Sequence, residues 1–249
     1  MSSTSAIGIT AIGHQSLYFN TASNNTAVGY QAGFSNTSGF DITAIGYKAL
    51  YSNTTGRYNT AIGGAVTGLF KAALESNTTA NANTAVGAAS MADNTTGASN
   101  TAVGANALQR NTSGFYNAVF GVGALFSNIT GSQNVAIGLG ALENNTSDNN
   151  TALGHQAGKA GVANTTGANN IFIGYQATGV SATESNRTWI GNSSTASTWL
   201  AGNVLVGTTT NAGYKLDVAG TIRTAGSGTN GVIFYDGTYG AKVSMSSYV

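Results

Sequence analysis

A five-residue phrase closed by glycine returns every 17 residues along most of this chain. Three successive copies read Asn25-Thr26-Ala27-Val28-Gly29, Ile42-Thr43-Ala44-Ile45-Gly46 and Asn59-Thr60-Ala61-Ile62-Gly63. The closing glycine recurs at Gly87, Gly104, Gly121, Gly138, Gly154, Gly174, Gly191 and Gly207, and Gly13 precedes the set. Self-similarity at a short fixed period marks a solenoid, in which each unit stacks on the next copy of itself. A chain made this way is usually built to span distance or to present a surface.

A second phrase starts seven residues after the glycine, as in Asn53-Thr54-Thr55-Gly56 and Asn94-Thr95-Thr96-Gly97. Its asparagine falls at Asn36, Asn53, Asn77, Asn94, Asn111, Asn128, Asn145 and Asn164. Between the phrases sits a small-then-larger pair, such as Ala49-Leu50 or Ala107-Leu108. The unit is therefore N-T-A-[IV]-G-x-x-A-[LG]-x-x-N-T-[TS]-G-x-x. Helical-hairpin repeats need about 33 residues, so this unit is too short for one. Thr-Ala-Ile/Val reads as a short strand. Asn-Thr-Thr-Gly reads as a turn, with Asn bonding its own backbone and Gly taking a positive φ. Strand, turn, strand, turn predicts an all-β chain: a parallel β-solenoid or β-roll of about twelve 17-residue coils. Coils stacked about 4.8 Å apart would align the asparagines into hydrogen-bonded columns.

Two spacings exceed the period. Gly63 to Gly87 is 24, with the extra residues within 64–72, and Gly154 to Gly174 is 20, with the excess ahead of Asn164. Both insertions are expected in one arm of the unit. Inserted loops on a solenoid often lie on its binding face.

Neighbours in a strand point to opposite faces. One face of the first phrase is tiny (Ala27, Gly29) and the other is larger (Thr26, Val28). A coil lined by Ala and Gly would have little core of its own. Burying a Val or Leu contributes about 1.5–3 kcal/mol, so the larger face calls for another surface. Several parallel copies about a common axis, about three, would supply it. The alternative is a wider monomeric β-helix with Val and Ile inside.

Charged residues make up 7% of the chain and the net charge is +1. No basic stripe exists for phosphates, so nucleic-acid binding is not expected. No run of about 18 apolar residues predicts membrane insertion. The start, Met1-Ser2-Ser3-Thr4-Ser5, lacks the basic and apolar segments of a secretion signal. Cysteine and proline are both absent. The first removes disulfides and thiolate metal sites; the second suits a ladder that needs every backbone N–H.

Candidate chemistry is sparse, and no catalytic, metal-ligating or cofactor-binding residue is assigned. His14 and His155 share one column on distant coils. The eight acids are scattered; Glu143 and Asp148 are near in sequence but lack the second placed group that glycoside chemistry requires. Glu75 and Glu143 occupy a column that also holds Phe34, Tyr51 and Phe126, a mixture that predicts a solvent-facing position. No G-G-x-G-x-D calcium repeat is present. The Asn-x-Ser/Thr sequons at Asn36, Asn53, Asn94, Asn111 and Asn164 follow from the turn phrase. Aromatics give the better lead. Tyr30, Tyr47 and Tyr175 follow motif glycines, and Phe34 and Tyr51 lie near the turns. On an uncharged surface, Tyr30, Phe34, Tyr47 and Tyr51 are candidates for glycan contact; the alternative is packing between chains or over coil edges. Leu69 and Phe70 in the first insertion would serve recognition or plug an assembly.

The repeat resembles those of bacteriophage tail fibres over roughly residues 6–207. It is also similar, at a different period, to the β-roll heads of trimeric autotransporter adhesins. Residues 203–223, running from Asn203-Val204-Leu205-Val206-Gly207 to Gly220-Thr221-Ile222-Arg223, resemble the tail-fibre segment just ahead of a self-cleaving chaperone. The resemblance implies a homotrimeric fibre in the virion, outside the cell. Its partners would be its own copies, other tail or fibre proteins and a host-surface glycan or protein receptor, and it would catalyse nothing. The resemblance implies a chaperone domain after Val249 that is released on assembly, which would make the chain a matured product or a fragment. The rival readings are a bacterial cell-surface adhesin head, an ice-binding solenoid with a Thr column, and a polysaccharide-degrading enzyme. The repeat shaft is expected over 1–207. A β-rich tip is expected over 208–249, with a strand at Lys215-Leu216-Asp217-Val218 and a hairpin turning at Asp236-Gly237.

Overall fold

The computed structural model describes residues 6–65, 71–159, 166–179, 181, 183–192, 194, 204–206 and 216–218, the last two stretches as backbone alone. The chain divides into two compact units, Met1–Ala196 and Ser197–Val249.

The first unit carries one eleven-stranded sheet. Its strands are β1 (Thr10–Ile12), β2 (Thr26–Val28), β3 (Thr43–Ile45), β4 (Thr60–Ile62), β5 (Thr84–Val86), β6 (Thr101–Val103), β7 (Ala118–Phe120), β8 (Val135–Ile137), β9 (Thr151–Leu153), β10 (Ile171–Ile173) and β11 (Thr188–Ile190). Spatial order follows chain order, and every pairing is parallel. Motif positions meet their own kind: Thr26 opposes Thr43, Ala27 opposes Ala44, Val28 opposes Ile45. One strand per repeat, stacked in register, makes the β-solenoid. At about 4.8 Å per step the sheet extends about 50 Å.

The second strand expected in each coil does not form; the remainder of the circuit is bends and turns. Backbone signs explain it. Lys48 and Leu50 have φ of 57° and 53°, and Tyr58 ahead of the next strand has 58°. An extended strand cannot run through left-handed residues. Bonds between coils take the ladder's place around the circuit. Lys48 N donates back to Tyr30 O at 2.9 Å, Leu50 N forward to Ala73 O at 3.0 Å, and Thr54 N forward to Thr78 O at 2.8 Å. Because N–H groups are used at so many corners, proline has no favourable place here.

The left-handed Leu also corrects the expectation of a coil with little core. Strand alternation would turn Leu50 away from Ala49, yet both are fully buried, because the positive φ turns the second side chain back inward. Leu17, Leu50, Leu74, Met91, Leu108, Leu125 and Leu142 thus form an interior column beside Ala27, Ala44, Ala61 and Ala102. The Val and Ile side chains at the first and third strand positions stay outside, unlike those of the wider β-helix; Val119, at the inward position of β7, is buried.

Two coils carry Gly where others carry this Leu, and both refill the space. A Cβ on Gly33 would lie 2.9 Å from Leu17 Cδ2 and 3.7 Å from Ile42 Cδ1. Ile42 stands where neighbouring coils place Asn25 and Asn59. On Gly158 the Cβ would meet Leu142 Cδ2 at 2.6 Å and Phe172 Cδ2 at 2.9 Å. Gly33→Leu crowds Ile42, and Ile42→Asn empties the space above Gly33. The double variant restores the repeat consensus, so the two changes are expected to couple favourably by about 1–3 kcal/mol. A double-mutant cycle by urea unfolding reads this, and additive losses would refute the pairing.

The turn glycines Gly39, Gly56, Gly97 and Gly114 are not at positive φ, contrary to the turn chemistry expected of them. Crowding selects them instead. A Cβ on Gly56 would sit 2.4 Å from both Ala80 O and Asn53 Oδ1.

The insertions open on opposite sides of the Ala-Leu corner, not in one arm. Ala65 N donates to Tyr47 O below, while Lys71 O accepts from Ala89 N above, so the first leaves between Gly64 and Lys71. Ala157 and Gly158 keep their places, with Gly158 N bonded to Ala177 O at 2.8 Å, so the second falls after Gly158. Leu69, Phe70 and Asn164 lie outside the described residues.

In the second unit β12 (Val204–Val206) pairs in parallel with β13 (Leu216–Val218) as a separate two-stranded sheet. β13 falls on the strand expected at Lys215–Val218. Gly207 and the hairpin at Asp236-Gly237 lie outside the described residues.

Candidate functional site

The turn asparagines are interior residues. Asn36, Asn53, Asn77, Asn94, Asn111 and Asn128 are fully buried, and Asn145 nearly so. Each amide of the regular run donates twice. Asn111 Nδ2 reaches Asn94 Oδ1 at 2.8 Å and its own turn's Gly114 O at 3.0 Å. The same links join Asn53 to Asn36, Asn77 to Asn53, Asn94 to Asn77 and Asn128 to Asn111. Glycosylation of Asn36, Asn53, Asn94 or Asn111 would require the coil to open.

A second amide ladder, present in the motif but not singled out from it, precedes each strand. Asn100 Oδ1 accepts from Asn117 N at 2.9 Å, and Asn100 Nδ2 donates to Gly114 O at 2.8 Å. Asn25, Asn59, Asn83, Asn117, Asn134, Asn150 and Asn170 hold equivalent buried positions. The turn ladder slips once. Gly138 to Gly154 is 16, one short, and Asn145 bonds to Ser147 O. Asn128 Oδ1 is left buried without a partner.

The ladder glycines let coils approach. Gly13, Gly29, Gly46, Gly63, Gly87, Gly104, Gly121, Gly138, Gly154, Gly174 and Gly191 all have positive φ. A Cβ on Gly104 would lie 2.7 Å from Gly121 C.

Opposite the buried Ala column, the first and third residues of every strand face outward. The first is Thr from β1 through β6, then Ala118, Val135, Thr151, Ile171 and Thr188. The third is apolar in all eleven strands: Ile12, Val28, Ile45, Ile62, Val86, Val103, Phe120, Ile137, Leu153, Ile173 and Ile190. Ile45 is 37% exposed, Phe120 43% and Leu153 49%. One unbroken greasy column therefore runs the length of the sheet beside a hydroxyl-rich one.

The aromatics stack along the axis. Tyr30 lies between His14 and Tyr47, with ring centroids 5.3 Å away on each side. Phe34 lies between Tyr18 at 5.6 Å and Tyr51 at 5.2 Å. Lys48 Nζ joins the columns, 5.7 Å from the Tyr47 ring and 5.2 Å from Tyr51. Rings stacked this way cover one another's faces, so Tyr30 and Phe34 turn mainly edges outward. His155 stacks on Tyr175 at 5.3 Å in the same manner as His14 on Tyr30. Phe34, Tyr51, Glu75, Phe126 and Glu143 are half-buried rather than fully solvated. Glu75 accepts from Ala72 N at 2.7 Å, Glu143 pairs with Lys159, and Lys71 pairs with Asp93 at 2.6 Å. These contacts close coil edges. Among the described residues no three His, Asp or Glu side chains gather to hold a metal. No described helix is long and apolar enough to cross a membrane.

No family model, curated protein or solved structure matches the chain.

Proposed function

We propose that this chain is a structural fibre protein, the shaft of a homotrimer of the kind its repeats resemble in bacteriophage tail fibres. It serves host-surface attachment without catalysing a reaction, alongside other tail proteins and a host glycan or protein receptor. The observation that carries this reading is the outward apolar column from Ile12 to Ile190. The coil interior is already filled by Leu, Ala and Asn, so the column has no place inside its own chain. Each Ile or Val covered contributes about 1.5–3 kcal/mol, and the column offers one at nearly every step. Parallel copies in register would set identical columns against each other. The column is one residue wide, which suits a narrow axial seam better than a broad flat dimer face. The adhesin-head reading shares this assembly and differs in where the fibre is anchored.

The chain is expected at about three times its 24.9 kDa mass by light scattering. Ile137→Asp, placing a charge in the column, is expected to return the mass to 24.9 kDa while the β circular dichroism persists. A wild-type monomer at micromolar concentration would overturn the reading. A bare Thr face from β1 to β6 would then favour the ice-binding alternative, which a thermal-hysteresis assay decides.

A further inference from the structure

The inward strand position that is Ala in most coils becomes Phe172 in β10 and Trp189 in β11. Their rings stack at 4.9 Å with planes 5° apart. β11 is the last strand of the sheet, so no further strand of that sheet covers the other face of Trp189. That indole borders a cavity of about 780 Å³ whose walls include Gln156, Lys159, Gln176, Thr178 and Asn192. The size falls within the range of about 300–1,000 Å³ usual for small-ligand sites.

The polar groups here are mostly amides. Gln176 Nε2 donates to Gln156 Oε1 at 2.9 Å. That bond uses one donor and one acceptor, and it leaves the Gln156 amide N–H groups and the Gln176 carbonyl oxygen as the pair's remaining donor and acceptor. Sugar hydroxyls each donate and accept, so they can meet both of these groups. Lys159 is paired with Glu143, so among the described lining residues its charge is balanced. Asn192 donates to Tyr175 O at 2.9 Å and shapes the wall. An aromatic face beside amides is amphipathic, like a pyranose ring with its apolar C–H face and polar rim.

We infer that the β11 end of the solenoid binds a neutral saccharide, stacked on Trp189 and read by the Gln156–Gln176 amide pair. The inference gives the host-surface reading a ligand class and rests on that reading for its biological meaning.

The test titrates the full chain with cellotetraose, maltotetraose and chitotetraose, and with sialyllactose as the anionic control, by saturation-transfer NMR and calorimetry. At least one neutral oligosaccharide is expected to bind. Gln156→Ala and Gln176→Ala, both at the surface, are expected to weaken it about three- to tenfold each, with circular dichroism unchanged. Trp189→Ala is expected to remove binding, and Trp189→Phe to retain part of it should the alanine loosen the last coil. No binding by any neutral probe, binding of sialyllactose alone, or affinity indifferent to both Gln substitutions would overturn the inference. Light scattering on the same samples separates the two readings: a sugar-binding monomer sinks the fibre and keeps the site, while a trimer indifferent to sugars does the reverse.

Discussion

Asn111→Asp is expected to cost about 3–5 kcal/mol of folding stability at neutral pH, although it replaces one nitrogen by one oxygen. Asn111 is fully buried. Its Nδ2 faces two acceptors, Asn94 Oδ1 at 2.8 Å and Gly114 O at 3.0 Å. A carboxylate oxygen there has no proton to give either of them. It also brings a charge into a column of neutral amides. Below the ordinary carboxylate pKa of about 3.9 the acid is neutral, and its O–H restores one of the two bonds. Burial raises the folded-state pKa above the unfolded value, so stability is retained below pH ~3.9 and lost as the pH rises from there through the folded pKa. Urea unfolding at acid and neutral pH checks the sign. A loss under about 1 kcal/mol at neutral pH would mean that the turn ladder contributes little to cohesion.

Gly121→Ala is the second large effect. Gly121 has φ of 141°, a region that L side chains rarely adopt. Its Cβ would meet Gly138 O at 2.4 Å, Gly138 C at 2.6 Å and Leu139 N at 3.1 Å. All three are backbone atoms of the next coil, so no side chain can swing aside. The coils must separate or shift, and Gly138 rests on Gly154 in the same way. Conformational strain and overpacking together are expected to cost about 2–6 kcal/mol, read by thermal or urea unfolding. Gly123→Ala is the control, since its Cβ meets nothing within 4 Å; φ of 63° alone should cost far less. Equal losses at the two positions would show that backbone strain, not coil contact, sets the penalty.

The period made the solenoid legible. Each Thr-Ala-Ile/Val phrase can pair only with its own copies in register, and β2 through β6 do so without exception. What happens between the phrases was not legible. Lys48, Leu50 and Tyr58 carry positive φ, yet none of these residue types advertises it. The corner is imposed by neighbouring coils, which supply the partners for its N–H and C=O groups. The same corner hid the Leu column, because strand alternation fails where φ changes sign. The buried role of the turn asparagines was half visible: their periodicity gave the ladder, while their polarity argued for the surface. The aromatic columns were visible as columns, but the stacking that covers their faces needed the coil spacing. The Trp189 end was readable in principle. Aligned with the other phrases, Ile171-Phe172-Ile173 and Thr188-Trp189-Ile190 put large rings where Ala27 and Ala44 stand.

The coil that follows Asn128 interrupts one of the two amide ladders of the solenoid. From Asn36 to Asn128 the turn amides form one continuous cable, and past Asn128 that cable is cut. Backbone bonds such as Leu125 N to Ala141 O still bridge the joint, but one rail of the track is missing. The consequence is a local weak point: coil separation there sacrifices one side-chain link fewer than at any step from Asn36 to Asn128.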